Sequence, residues 1–227
     1  KEIIYMCMRR PDGYVGKPVE DATKVFAMDT GAGSSTIPNF DSGFPVDFAF
    51  KRHISAGDSW ATGSRLMGPK LLFTDLTQAE TESQASYGMY WDSNEGWSTV
   101  GNSNFQSWMF KRHAGFDVVT YEGNGVARQI PHSLSKTPEM IWVKRRNSSK
   151  AWAVYHKGLN GGSSPEDYRL KLNESIAEAS DGVLWNDTAP TSTHFSVGNS
   201  SFTNYNNDTY IAMLFASVDG ISSVGSY

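Results

Sequence analysis

Cysteine is nearly absent from the 227-residue chain, which contains only Cys7. One cysteine cannot form an internal disulfide, and it cannot supply the several thiolates of a structural zinc site. Long apolar runs are also missing, since the two longest, at 3–8 and 210–218, fall far short of the roughly 20 residues that span a bilayer. The fold must therefore be stabilised by packing, and we expect no membrane insertion.

Positive charge is not concentrated anywhere along the chain. Twenty Lys and Arg residues are set against 24 Asp and Glu residues, which gives a formal net charge of −4. A protein that binds nucleic acid needs clustered cations to neutralise the phosphates, so we expect no nucleic-acid partner. The hydrophobic content of 39% still suffices for a core in a chain of this length.

Short alternating segments dominate the sequence. Apolar and polar residues alternate at 168–172 and at 194–197, which is the period of a half-buried strand. Runs of β-branched and aromatic residues predict further strands at 118–121, 140–143, 151–155 and 210–215. A helical turn is predicted only at 76–86 and at 173–180. The fold class is therefore all-β.

The two halves of the sequence resemble each other. Val-Gly-Asn-Ser occurs at 100–103 and again at 197–200. Earlier in the chain, an interval of 93 residues places Ile37-Pro38, Phe48 and Lys51 opposite Ile130-Pro131, Ile141 and Lys144. Intervals that change at polar stretches and hold in apolar ones are typical of a duplicated domain.

The repeats predict two tandem, jelly-roll-like antiparallel β-sandwiches related by internal duplication. The first unit covers 21–112 and the second covers 115–218. Segment 1–20 resembles the closing strand of a preceding unit plus a linker, and segment 219–227 resembles the first strand of a following unit. We therefore expect a piece of a longer array, with assembly edges at Ile3, Ile4, Tyr5, Met6, Val224 and Tyr227.

The second unit carries four motifs in a fixed order. They are Gly-Phe-x-Val-x-x-Tyr-x-Gly-Asn-Gly at 115–125, Ile-Pro-His-Ser-Leu at 130–134, Pro-Glu-Met-Ile-x-Val-Lys at 138–144 and Tyr-Ile-Ala-x-Leu-Phe-Ala at 210–216. Together they resemble the tandem concanavalin A-like (laminin-G-like) domains of virion and tail-fibre-like proteins of marine tailed bacteriophages. The resemblance covers the first unit more loosely. It implies a jelly roll and a virion or extracellular location, and it implies no catalytic residue.

Catalytic patterns are weak in this sequence. The five histidines share no position in the two units, and none lies in a nucleophile elbow or a zinc-binding helix motif. Glu80 recurs as Glu178 in the same Ala-Glu setting. Recurrence in both units indicates a structural role, such as accepting backbone N–H groups, rather than acid catalysis. We therefore predict that the chain is not an enzyme and has no cofactor.

One loop combines aromatic rings with oxygen-bearing side chains. Sugars stack their C–H faces on exposed rings while their hydroxyls bond amides and carboxylates. The loop therefore predicts a glycan-binding site made of Tyr90, Trp91, Asp92, Asn94 and Trp97, unless Trp91 belongs to the core. Asp92 and Asn94 also alternate like the start of a calcium loop, but the later acidic ligand is missing, so calcium is a weak candidate.

Three functions fit these observations. The first is a non-enzymatic structural or adhesive module of a phage particle, in a fibre, spike or capsid-surface protein. Such a module acts by assembly and multivalent contact, with other copies of itself or other virion proteins as partners. The second is a lectin-like module that recognises host polysaccharide. The third is a polysaccharide-degrading domain, because one scaffold hosts both activities.

Overall fold

The computed structural model describes residues 21–32, 38–81, 88–99 and 104–226. Within these ranges the chain is all-β, as predicted, and its strands pair antiparallel. No helix of this part is long and apolar enough to cross a membrane. The predicted assembly residues Ile3, Ile4, Tyr5, Met6 and Tyr227 lie outside the described ranges.

The first half of the chain, residues 21–112, forms two sheets. Its strands are β1 (Phe26–Thr30), β2 (Phe40–Asp41), β3 (Phe48–His53), β4 (Ala61–Ser64), β5 (Leu72–Phe73), β6 (Met89–Tyr90), β7 (Gly96–Thr99) and β8 (Phe105–Phe110). The large sheet has the order β1-β8-β3-β4-β5, and the small sheet has the order β2-β7-β6. Short 3₁₀ helices lie at Ala22–Lys24 and Arg65–Met67.

The second half, residues 115–226, also forms a large and a small sheet. Its strands are β9 (Phe116–Glu122), β10 (Arg128–Pro131), β11 (Met140–Arg145), β12 (Ala153–His156), β13 (Tyr168–Lys171), β14 (Ala179–Ser180), β15 (His194–Val197) and β16 (Thr209–Phe215). The large sheet has the order β9-β16-β11-β12-β13-β14, and β10 pairs with β15. The six predicted strand segments are all confirmed. The 3₁₀ helices of this half lie at Leu159–Gly162 and Pro165–Asp167.

The predicted helical turns at 76–86 and 173–180 are wrong in the described residues. The one α-helix of this part, α1 (Gly182–Trp185), lies just beyond the second of these segments. It forms where Leu184 and Trp185 enter the core of the second half, and it ends where Asn186 adopts a φ of +55°.

Three clusters of buried side chains hold the four sheets together. The first-half core lies between the two sheets of that half and contains Phe40, Phe44, Val46, Ala49, Leu71, Met89, Trp91, Trp97 and Met109. The second-half core contains Ile130, Leu134, Ile141, Val143, Ala153, Tyr155, Leu184, Trp185, Phe195, Val197, Tyr210, Ala212, Leu214 and Ala216. The seam cluster joins the halves through Phe48, Met67, Leu72, Phe116, Val118, Trp152, Ile211 and Met213.

The large sheet of the second half is therefore buried on both faces. In β16, Ala212 and Leu214 point into the second-half core, whereas Ile211 and Met213 point into the seam cluster. A strand buried on both faces carries apolar residues at every position. This explains why 210–216 forms a continuous apolar run rather than an alternating one.

Strand pairing gives the two large sheets a different interval from the predicted one of 93 residues. Phe48 pairs with Phe110 in the first large sheet, and Met140 pairs with Phe215 at the same place in the strand order of the second. In the strand order Phe48 therefore takes the place of Met140, 92 residues away, and not that of Ile141. A shift of one residue moves a side chain to the other face of its strand. Accordingly, Ile141 lies in the second-half core, whereas Phe48 lies in the seam cluster.

The strand predicted at 219–227 does not form in its described residues, 219–226. The backbone N–H groups of Ile221 and Ser222 both donate to the carbonyl of Val218, which closes a turn. The N–H of Val224 then donates to the Ser217 hydroxyl at 3.0 Å. These hydrogen bonds direct the segment back onto the second half, and they take the place of a strand ladder.

Candidate functional site

The two tryptophans of the predicted glycan loop lie inside the protein. Trp97 has no exposed surface, and Trp91 is 7% exposed. The Trp97 ring stacks on Phe40 and on Trp91, with centroids 4.8 and 5.5 Å apart. Its indole N–H donates to Ser107 Oγ at 3.0 Å, and that of Trp91 donates to the Gly68 carbonyl at 2.9 Å. Both rings therefore belong to the first-half core and offer no face to a sugar.

The other predicted residues of this loop are exposed, and an arginine binds the loop backbone between them. Tyr90 is 39% exposed, and Asp92 and Asn94 are exposed as well. The Arg65 guanidinium donates to the Trp91 carbonyl at 2.6 Å. The positive charge of Arg65 beside this carbonyl would repel a calcium ion. Among the described residues, no group of three or more His, Cys, Asp or Glu side chains has a metal-binding arrangement.

The structure instead brings together a set of polar contacts along the seam between the halves. The loop at 74–81 of the first half lies against the second half. The Thr77 carbonyl accepts the Lys150 N–H at 2.8 Å, and the Glu80 N–H donates to the Arg146 carbonyl at 2.7 Å. Because these bonds use backbone groups, the position of the loop depends little on its side chains.

The Glu80 carboxylate adds two ion pairs to this contact. Its oxygens lie 2.9 Å from Lys70 Nζ in the first half and 2.7 Å from Arg146 Nε in the second, and its side chain is 10% exposed. Glu178, by contrast, is exposed and accepts the backbone N–H of Asn160 at 2.9 Å. The role predicted for both residues, accepting backbone N–H groups, is thus found at Glu178, while Glu80 links the halves.

Two lysines are buried, and in the described part of the chain neither pairs with a carboxylate. Lys51 is 1% exposed and Lys144 is fully buried. Lys51 Nζ donates to Thr99 Oγ1 at 2.7 Å, whereas Lys144 Nζ donates to the carbonyls of Thr77 and Arg145 at 3.2 and 2.8 Å. Burial lowers the pKa of each ammonium group to about 8. Lys51 thus contacts the small sheet of its own half and Lys144 contacts the seam loop, so the two lysines lie in different surroundings.

An open cleft of about 360 Å³ lies beside the seam cluster. The two halves line it together, with Phe50, Trp60, Thr74, Asp75, Trp142 and Leu172. The alternation of apolar residues in β11 predicts that Trp142 points away from its own core and towards a neighbour, and the structure confirms this. Its ring packs on Phe215, with centroids 4.9 Å apart, next to the seam cluster.

Stacked rings form the first-half wall of the cleft. Phe50, Trp60 and Trp108 form a cluster of three rings in mutual contact, with centroids 5.1 to 5.8 Å apart. The Arg52 guanidinium covers Trp60 at 5.2 Å, and Asp75 Oδ1 accepts the Trp60 backbone N–H at 3.0 Å. No motif in the sequence predicted this wall. The interval of 92 residues from strand pairing supplies a signal, since it places Phe50 opposite Trp142 on the seam faces of β3 and β11.

Comparison with known proteins places the chain in a family. The sequence profile of DUF7483, a domain of unknown function, matches residues 75–227, which is more than half of the chain. The chain belongs to the DUF7483 family. The DUF7483 match begins within the seam loop and continues through the whole second half, so it includes the contact at Glu80. No curated protein and no solved structure matches the chain.

We expect Glu80→Gln to lower the free energy of unfolding by about 2 kcal/mol. The substitution leaves Arg146, whose side chain is 15% exposed, without its anionic partner. Glu178→Gln is the matched control, and its exposed carboxylate predicts a change of about 0.5 kcal/mol or less. Urea denaturation of both variants measures the difference. Equal effects at the two positions would contradict the linking role of Glu80.

The buried lysines predict that stability rises with pH. Their folded pKa of about 8 lies below the ordinary lysine pKa of 10.5, so between these values the unfolded chain binds more protons than the folded one. The free energy of unfolding therefore increases with pH from about 8, by up to about 1.4 kcal/mol per unit for each lysine. Burial raises the pKa of Tyr121, which has the opposite effect as pH rises above about 10.

Urea denaturation at several pH values from about 7.5 to 9.5 checks this prediction below the range of tyrosine ionisation. Lys51→Met and Lys144→Met should each remove about half of the slope, whatever they do to stability at pH 7. Lys24→Met, at an exposed position, should leave the slope unchanged. An unaltered slope in both buried-lysine variants would show that these ammonium groups keep their ordinary pKa.

Proposed function

We propose that the chain is a non-enzymatic structural and adhesive module of a phage particle, built from two jelly-roll-like sandwiches related by duplication. The strand order supports the duplication, because β1-β8-β3-β4-β5 becomes β9-β16-β11-β12-β13 when every strand is replaced by the one eight places later. The second large sheet differs only by the added edge strand β14.

Hydrogen bonds outside the ladders repeat with the strands. Asp75 Oδ1 accepts the Trp60 N–H at 3.0 Å, and Asn173 Oδ1 accepts the Trp152 N–H at 2.9 Å. The corresponding residues are 98 and 92 apart. Likewise, the Asp47 N–H donates to the Phe110 carbonyl at 2.9 Å, as that of Glu139 does to Phe215 at 2.8 Å. Matching bonds at matching positions support a common origin for the two halves.

The seam between the halves is the observation that carries the structural role. Eight apolar side chains from both halves form the seam cluster, and the ion pairs of Glu80 and the backbone bonds of the seam loop surround it. An interface with an apolar centre and a bonded polar rim holds its two sides rigidly together. A rigid two-unit block is suited to projecting a surface from a particle, where weak contacts on several copies sum to avidity.

The competing enzymatic hypothesis depends on Glu80 as the acid of a polysaccharide-degrading domain. A general acid must present its carboxyl group to the substrate. Both oxygens of Glu80 instead bind cations, Lys70 and Arg146, at the seam. This arrangement favours a structural use of the residue. The phage setting and the partners, other copies or other virion proteins, are supported by the resemblance of the motifs in 115–216.

Immunogold electron microscopy tests the proposal directly. Particles are purified from cells that carry the gene and are labelled with antibodies raised against the isolated chain. We expect gold on the particle surface at repeated positions. Incubation with host polysaccharide should release no new reducing ends. Unlabelled particles, or release of reducing ends that Glu80→Gln abolishes, would contradict the structural role.

A further inference from the structure

We propose that a second copy of this chain docks head to tail on the first half, and that this contact repeats the seam. The inference rests on the proposed duplication. Its starting point is that the seam is not symmetric, because the first half contributes Phe48, Met67 and Leu72, whereas the second contributes a different part of its large sheet. If two similar units touch through different surfaces, each of them also carries a copy of the surface that the other one uses. That copy stays unused on both units.

The unused surface on the first half is apolar; it is exposed at β1, and it borders the open cleft at Trp60. The second half buries Phe116, Val118, Trp152 and Met213 in the seam, and each of them is at most 2% exposed. Strand pairing and the repeated hydrogen bonds give their counterparts in the first half as Phe26, Met28, Trp60 and Trp108. Phe26 is 39% exposed and Met28 is 56% exposed, and the two tryptophans are half-buried.

The Trp60 indole also lacks a contact that its counterpart Trp152 makes. In the seam, Trp152 Nε1 donates to the carbonyl of Phe73 at 2.8 Å. The counterpart of Phe73 is Lys171, which lies in the second half and far along the chain from Trp60. Within the described residues, Trp60 Nε1 has no hydrogen-bond partner. A second copy that presents Lys171 in this way would complete the bond and cover the ring.

The unused surface on the second half is an exposed loop. Residues 174–178 correspond to 76–80 of the seam loop, by the interval of 98 that the bonds of Asp75 and Asn173 define. Ala79 and Glu80 are partly buried against the second half, but their counterparts Ala177 and Glu178 are exposed. Ile176, in the same loop, is 48% exposed.

The backbone groups that the second contact needs are available. In the seam, Lys150 N–H donates to the Thr77 carbonyl and Glu80 N–H donates to the Arg146 carbonyl. The corresponding groups are the N–H groups of Asp58 and Glu178 and the carbonyls of Ser175 and Ile54. In the described part of the chain none of these four groups forms a hydrogen bond. These four groups belong to the backbone. They are therefore present even though the two halves carry different side chains at these positions.

The side chains at this contact differ from those of the seam, where Glu80 pairs with Arg146. Ile54 stands at the position of Arg146, and it is 59% exposed. Gln78 is exposed in the seam, so its counterpart Ile176 and the Glu178 carboxylate, which accepts the Asn160 N–H, would stay at the edge of the contact. Docking would remove Ile54 from water, which favours association. A second copy is the partner that carries both complementary surfaces, so each added copy would leave the next surface open and extend the assembly.

Sedimentation velocity of the purified chain tests this proposal over a wide range of protein concentration. We expect the wild-type chain to form dimers and longer oligomers as the concentration rises. Ile54→Asp places a charge in the receiving surface, and Ala177→Asp places one in the docking loop at the position of the partly buried Ala79, so each variant alone should associate about tenfold more weakly or worse. Val183→Asp, at a position that is 56% exposed outside both surfaces, is the matched control and should assemble like the wild type.

A mixture of the two defective variants gives the sharper result. The Ile54→Asp chain keeps an intact loop and the Ala177→Asp chain keeps an intact receiving surface, so an equimolar mixture should form dimers and stop there. A wild-type chain that stays monomeric, or a mixture that does not dimerise, would overturn the proposal. If the wild type assembles and both variants assemble equally well, the head-to-tail contact is wrong, while surface labelling of particles would still support the structural role.

Discussion

Burial of the two large sheets against each other is the constraint on which the rest of the structure depends. It places apolar side chains on both faces of β16, so that Tyr210, Ile211, Ala212, Met213 and Leu214 have no exposed surface. Sheets of this kind cannot be separated without exposing the seam cluster to water, at a cost of roughly 25 cal/mol for each Å² of apolar surface. The two halves therefore form one block rather than two beads on a linker.

The same packing determines where charge is found. The seam loop lies against the second half. There its Thr77 carbonyl accepts a hydrogen bond from the buried Lys144, and its Glu80 carboxylate forms an ion pair with Arg146. Cations that enter a low-dielectric region need such partners, because an unpaired polar group there is costly. At the corresponding place in the first half, Arg52 lies over Trp60 and bonds the carbonyl of Asp58 in its own hairpin. The two places differ because the seam loop covers the surface around Lys144 in the second half and leaves the surface around Arg52 in the first half open.

Sequence analysis predicted the strands well and the register poorly, for one physical reason. Alternation and β-branched runs mark where a chain is extended, and they identified all six predicted strands of the second half. Register depends on which face of a strand meets which core. In β3 and β11 both faces are buried, so an interval of 93 residues fits the apolar pattern about as well as the interval of 92 that strand pairing gives. The burial of Trp91 and Trp97 could not be predicted either, because the neighbouring residues in the sequence do not distinguish a buried indole from an exposed one.

The start of the family match lies within the loop that connects the two halves at the seam. The match begins at Asp75, within the loop that belongs to the first half by chain position but binds the second half in space, and it also includes β6, β7 and β8 of the first half. It therefore contains Glu80 and its partner Arg146, whereas Phe48, Met67 and Leu72 of the seam cluster lie before it. The match thus holds the polar part of the seam and the second-half side of its apolar part. The seam is not confined to one side of the family boundary, and the apolar side chains that precede Asp75 complete it.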